Sequence, residues 1–339
     1  MSQLPEQPSR TPVPTSADVA RRAGVSRATV SYVLNNNTTV RISEPTRRRV
    51  REAAEGLGYV PHAAARSLRA GHTRTVLLPA AQPPLHESLI GTLESGLRQL
   101  DYTVVRHNSA GFDADEAARA WAELRPVAVL APAGVSLTPY GMSVLTRSGA
   151  RAVITLGPRS VEGAHALVLD EGETGRCAVR HLLARGRRRI GVVMPREPGL
   201  GPFAEARLAG AVSAVEESDV EAGVVPLPLG YEESAAEELA ARWRSLRLDG
   251  VFGYDDQYAA LLMRALQDAG VGVPAETSVI GAGDLVLGRL LRPRLSTVGT
   301  ALAAPQPPAE LVDRLIQNPH HERERHDLLR AAVVARESS

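Results

Sequence analysis

The sequence predicts a small all-α head followed by a larger α/β body built on two parallel sheets. Three observations predict it. Residues 15–34, TSADVARRAGVSRATVSYVL, read as two short helices around a tight turn. From residue 75 onward, short β-branched or apolar runs alternate with amphipathic segments, the pattern of parallel sheets covered on both faces. Charge divides at the same place: residues 1–74 carry 12 Arg against 5 acidic residues, net +7, and the remainder carries 27 Arg against 33, net −6. A basic small domain on a mildly acidic large one suits a nucleic-acid reader with an attached sensor. The chain has no lysine, so every cationic contact to a phosphate falls to arginine.

Several function classes are excluded at this level. No apolar run reaches the ~18 residues that span a bilayer, and MSQLPEQPSRTPVP lacks the basic-then-apolar pattern of a secretory signal. The expected location is the cytoplasm, with no membrane partner. Cys177 is the only cysteine, which rules out an intrachain disulfide and a cysteine metal cluster. There is no GxSxG, no metal-spaced Cys/His set and no glycine-rich phosphate loop, so neither an enzyme nor a cofactor or metal site is expected. His320, His321 and His326 in NPHHERERHD read as a charged surface loop before the last strand.

Taken in order, residues 1–14 hold four prolines and too little apolar surface to order themselves, and are read as a flexible arm. Thr15 is placed to cap the first helix. Val19, Ala23, Val25, Val30 and Val33 turn the inner faces of the two helices together, Ala20 permits close approach, and Gly24 sits at the corner where φ > 0 is needed. Ser26 caps the second helix. This is the helix-turn-helix pattern, whose second helix enters the major groove of DNA. On its exposed half, Arg27, Ala28 and Tyr32 are the candidate base readers. Arginine donates bidentately to guanine, and alanine meets a thymine methyl. Thr15, Ser26, Thr29, Ser31 and Asn35 are the candidate phosphate contacts. Ser43 then caps a third helix with Pro45 in its first turn, an apolar face at Val50, Ala53, Ala54 and Leu57, and Gly58 at its end. The head is bounded at 15–60. Residues 61–73 form a hinge with a short alanine-rich helical segment, too short to be stable without a packing partner.

The body occupies 74–339. Its strand candidates are TVLLPA, TVVRHN, VAVLAP, AVITLG, ALVLD, RIGVVMP, VVPLP, GVFGY and SVIGAG, separated by amphipathic segments such as LIGTLESGLRQL, TGRCAVRHLLARG and YAALLMRALQDAG. In such sheets ligands bind at the carboxyl ends of the strands.

DVARRAGVSRATVSYVLN, followed by EGLGYVPHAAARSLRAGHTRT, resembles the DNA-binding head and hinge of the lactose-repressor/galactose-repressor family of bacterial transcription regulators. RHLLARGRRRIGVV, FAEARLAGAVSAV, LDGVFGYDDQYAA, RLSTV and LLRAAVVARES match further landmarks of that family. The resemblance implies a periplasmic-binding-protein-like body of two subdomains closing on a ligand, an N-subdomain at about 74–171 and 298–319 and a C-subdomain at about 172–297 and 320–339. It implies a homodimer on operator DNA, with paired hinge helices in the minor groove. Leu68 then levers a base step open, with Ala65 and Arg66 beside it. Arg207 matches the family's effector-holding arginine, and Asp170 and Asp255 match cleft positions, with Asp256 as the alternative cap of the following helix.

Two departures stand out. Pro83, Pro84, Leu85 and His86 replace an Asn-Pro-Phe-Phe-like run, and Gly283 replaces an effector-binding aspartate, with Asp284 displaced by one. Leu85, His86 and Asp284 are the candidates to compensate. The expected function is a sequence-specific DNA-binding regulator, a repressor responsive to a small molecule of unknown class. The rival readings are a solute-binding protein, which needs an export signal, and an α/β enzyme, which needs a nucleophile or metal constellation.

Overall fold

The computed structural model describes residues 14–34, 40–60, 73–80, 84–108, 111–132, 135, 137–158, 161–303, 306–319 and 322–339, without the side chains of 84–88. The chain forms two compact units, Met1–Thr73 and Arg74–Ser339.

In the first unit, helices α1 (Ser16–Ala23), α2 (Arg27–Leu34) and α3 (Glu44–Leu57) enclose a core of small residues. Val19, Ala20 and Ala23 meet Val30 and Val33 of α2 and Val50, Ala53 and Ala54 of α3, all buried. Valine and alanine suit this core because short side chains let three short helices approach closely. Each fully buried valine contributes roughly 1.5–3 kcal/mol.

In the second unit, two six-stranded sheets form. The first contains β1 (Thr75–Pro79), β2 (Thr103–His107), β3 (Ala128–Pro132), β4 (Ala152–Gly157), β5 (His165–Val168) and β11 (Arg325–Asp327), in the order β2-β1-β3-β4-β5-β11 and parallel throughout. The second contains β6 (Arg189–Pro195), β7 (Gly223–Leu229), β8 (Gly250–Phe252), β9 (Ser278–Ala282), β10 (Ser296–Leu302) and β12 (Leu329–Val334), in the order β7-β6-β8-β9-β10-β12. Here β12 runs antiparallel to β10. Helices α4 (Pro84–Gln99), α5 (Ala114–Glu123), α6 (Pro139–Ser148) and α13 (Pro308–Gln317) cover the first sheet. Helices α7 (Glu171–Ala184), α8 (Gly201–Glu216), α9 (Glu233–Ala241), α10 (Trp243–Leu246), α11 (Asp256–Asp268) and α12 (Val286–Leu290) belong with the second.

Two boundaries expected from the sequence move. β10 pairs with β12 along Thr297–Leu302 and so lies wholly in the second sheet, which places the second crossing after Leu302 rather than at 298. The third crossing lies at Leu328 rather than 320, because β11 pairs with β5 at the edge of the first sheet. The same pairing turns part of the tract read as a surface loop into a strand: His326 lies on β11, while His320 and His321 lie outside the described residues. Strand β7 contains Pro226 and Pro228, which its edge position tolerates.

The contact that most directly shapes the ligand-facing end is between α7 and α8. A Cβ at Gly210 would overlap the carbonyl of Gly172, and one at Gly175 would overlap the carbonyl of Arg207. Only glycine permits this approach, which brings Arg207 on α8 against the start of α7.

Candidate nucleic-acid interface and ligand cleft

The α1–α2 pair is held by its ends. Thr15 Oγ1 accepts from the Asp18 amide at 3.4 Å, and Asp18 accepts from the Thr15 amide at 2.9 Å and its hydroxyl at 2.6 Å, a reciprocal capping box. These bonds hold the Asp18 carboxyl below the usual range. Gly24, at φ 65°, donates to the Ala20 and Arg21 carbonyls, and Val25 closes onto Ala20 at 3.0 Å. Ser26 Oγ accepts from the Thr29 amide at 3.1 Å and meets the Thr29 hydroxyl at 2.9 Å. Ser43 occupies the cap position of α3, but its hydroxyl meets Thr46 at 2.9 Å instead of a backbone amide.

With Val30 and Val33 facing the core, α2 turns Arg27, Ala28 and Tyr32 outward, Tyr32 being 37% exposed. Arg27 has no ion-pair partner among the described residues. Its neighbours differ: Arg21 pairs with Asp18 at 3.1 Å, Arg48 with Glu52 and Arg51 with Glu44 at 3.7 Å, and Arg47 donates to the Ile42 carbonyl at 3.4 Å. The candidate phosphate contacts are mixed. Thr15 and Ser26 are exposed but bonded within their caps, and Thr29 and Ser31 are half-buried. Asn35 and the hinge residues Ala65, Arg66 and Leu68 lie outside the described residues, as do the side chains of Leu85 and His86.

At the carboxyl ends of the second sheet, the residues assigned to a ligand by sequence have internal partners. Arg207 is 1% exposed: Nε donates to Glu171 Oε2 at 2.7 Å, Nη2 lies 2.6 Å from the same oxygen, and Nη1 donates to the Tyr254 carbonyl at 2.6 Å. Its guanidinium sits 4.3 Å from the centroid of the Tyr254 ring. Arg207 is therefore a buried strut in this structure, with Nη2 left without a hydrogen-bond partner. Asp170 caps α7, accepting from the Glu173 amide at 3.1 Å. Asp255 caps α11, accepting from the Gln257 and Tyr258 amides at 2.9 Å each.

The alternative cap, Asp256, does something else. It is fully buried and accepts from the Thr297 hydroxyl at 2.6 Å and the Leu285 amide at 2.7 Å, tying the ends of β8, β9 and β10 together. Burial pushes the carboxyls of both Asp255 and Asp256 up. Asp284, expected to replace the missing cleft carboxylate, pairs with Arg336 and, at 3.1 Å, with Arg289. Partial burial opposes its ionisation, but these arginines prevail and hold its carboxyl down.

Sequence reasoning missed a cluster beside Arg207. Glu197, just past β6, accepts from the Tyr258 hydroxyl and, at 2.5 Å, from the Tyr231 amide. Burial raises its carboxyl and these donors lower it; the donors prevail, so it is held ionised. The rings of Tyr231 and Tyr258 lie 5.1 Å apart, and Tyr254 meets Tyr258 edge-on at 5.7 Å. Tyr254 stands in left-handed backbone at φ 57°, and burial pushes its phenol up to about 12. Three of the chain's seven tyrosines thus gather here. Glu171, buried against Arg207, was also missed.

Among the described residues, no group of three His, Cys, Asp or Glu is placed to hold a metal ion, and no helix is long and apolar enough to cross a membrane. Burial pushes the Cys177 thiol up to about 11, an unreactive state.

Comparison with known proteins matches residues 15–62 to the lacI family of bacterial regulatory proteins and residues 179–339 to a periplasmic binding protein-like domain. The chain is 32% identical over 295 residues to the HTH-type transcriptional regulator GalR of Escherichia coli K12, covering 84% of this chain and 83% of that one. It is 30% identical over 297 residues to the HTH-type transcriptional repressor PurR of Vibrio atlanticus, covering 84% and 86%. A lac repressor dimer bound to operator and the anti-inducer ONPF shares the fold, with TM-score 0.75 at 21% identity over 96% of this chain and 98% of that one.

Proposed function

This chain belongs to the lacI family of bacterial regulatory proteins and is a DNA-binding transcriptional regulator; we propose that it works as a ligand-responsive repressor, a homodimer on a near-palindromic operator. The observation that carries the proposal is the outer face of α2. Arg27, Ala28 and Tyr32 are exposed on a helix whose opposite face is locked by Val30 and Val33, and Arg27 has no ion-pair partner among the described residues. A fixed helix with a free guanidinium fork is what bidentate guanine reading requires.

In this reading Arg27, Ala28 and Tyr32 meet base edges. Thr15, Ser26, Thr29, Ser31 and Asn35 set the helix on the phosphates. Residues 61–73 are the hinge, with Leu68 as the wedge between base steps and Ala65 and Arg66 at the minor groove. The carboxyl ends of the two sheets enclose the effector site. Asp170, Asp255, Leu85 and His86 line it, and Arg207 braces its wall through Glu171. A ligand that binds one disposition of the two sheet layers better than another shifts the hinge spacing, by no more than its differential affinity. The relatives are transcriptional regulators, and the head is not the equipment of an enzyme or of a solute carrier.

Selection from fragmented genomic DNA by the purified protein, followed by footprinting, tests this. The expected result is a protected near-palindrome with a distorted central step, and Leu68→Ala reduces the bending at that step while sparing low-salt non-specific binding. No enrichment at low salt, where phosphate binding is strongest, overturns the proposal.

A further inference from the structure

We propose that the effector is an organic cation, an amine or ammonium on a planar or apolar frame, held by Glu197 and the exposed ring of Tyr231. This rests on the reading of the cleft as an effector site and names the chemistry that site selects.

Three observations lead there. The first is charge. Glu171 neutralises Arg207 in a buried pair. In the loops that close β6, β7 and β8, the acids Glu197, Glu232 and Asp255 then stand against Arg196 alone among the described residues. The second is the ring corner. Tyr231 is 49% exposed and is braced by Tyr258, itself only 4% exposed, at 56° and 5.1 Å, and the same cluster already places one cation, Arg207, on a tyrosine face at 4.3 Å. Tyrosine faces attract cations through the ring quadrupole, and corners of such rings are how proteins take ammonium groups.

The third is the balance of donors and acceptors. Both oxygens of Glu197 are oriented by the Tyr258 hydroxyl and the Tyr231 amide, leaving lone pairs to offer. Arg207 Nε and Nη1, the obvious donors, are spent on Glu171 and the Tyr254 carbonyl. Arg207 Nη2 and the Tyr254 hydroxyl have no hydrogen-bond partner, but both sit on side chains 1% exposed and lie behind the exposed wall. The exposed part of the wall, the Glu197 carboxylate, only accepts, and so complements an ammonium, which only donates, better than a sugar, whose hydroxyls need both.

The test is titration calorimetry on the full chain at low salt with phenethylamine and benzyltrimethylammonium, against neutral 2-phenylethanol and galactose. Both cations are expected to bind about tenfold or more tightly than 2-phenylethanol, and Glu197→Gln and Tyr231→Ala each to remove about tenfold of that preference. Equal or tighter binding of 2-phenylethanol or galactose overturns the proposal. So does cation binding unchanged in both variants, or no cation binding up to about 10 mM. Anisotropy on the footprinted DNA separates the two layers. Galactose that releases the DNA leaves the effector reading standing and sinks the cation. A cation that binds without altering DNA affinity supports the cation site and sinks its role as effector.

Discussion

The outer face of α2 and the carboxyl end of the second sheet are both polar surfaces positioned by packed helices, and they are built in opposite ways. On α2 the side chains that matter are exposed, and Arg27 has no ion-pair partner among the described residues; the core beneath does the positioning with buried valine and alanine flanked by Leu34, Ile42, Leu57 and Tyr59. At the sheet end, several of the polar groups are spent on one another. Arg207 answers Glu171, Asp256 answers Thr297, and Asp284 answers Arg336. The difference separates reading from framing. A group that reads a partner is left free until the partner arrives, whereas a group that frames a site is spent within the fold.

That contrast breaks most easily at Arg207. Arg207→Ala leaves Glu171 buried without its cation, and the expected cost is about 3–5 kcal/mol of stability in the second unit. Denaturant unfolding measures it; a variant as stable as the parent, with only its ligand response lost, makes Arg207 a reader after all. Arg27→Ala is the opposite case. Stability should move by less than ~0.5 kcal/mol, while specific DNA binding falls by about 1–3 kcal/mol with relaxed preference at one base pair in each half-site. Competition binding against single-base operator variants reads this, and a uniform loss across sequences makes Arg27 a phosphate contact. Thr15→Ala lies between the two. Its hydroxyl is spent on the cap, so about 1 kcal/mol of head stability should go, and thermal unfolding of the head shows whether it does.

The head was legible in the sequence for the same reason that it is free. Its helices are set by local signals: the Thr15/Asp18 box, Gly24 in left-handed backbone, and valines at helical spacing, each acting within a few residues. The alternation of strands and helices in the body was legible too, because each strand is an apolar run closed by a turn. What the sequence did not disclose is long-range. Arg207 finds Glu171 thirty-six residues away and Glu197 meets Tyr258 sixty-one away, and no local pattern announces either contact. The displaced crossings have the same origin, since the place of β10 and β11 depends on which strands they pair with. Asp255 and Asp256 show the limit at its smallest scale. Adjacent identical residues divide into a helix cap and a buried tie, decided by which way each side chain points.

The central claim is that Arg27, held out by a helix that needs nothing from it, reads DNA. The most direct measurement is the sequence preference of the purified protein and of Arg27→Ala, obtained by selection from the same DNA pool, with unfolding curves of both. The account predicts superimposable unfolding curves and a near-palindrome in which the variant loses preference at one symmetric position per half-site. An unchanged preference profile in the variant, or no preference in the parent, contradicts it.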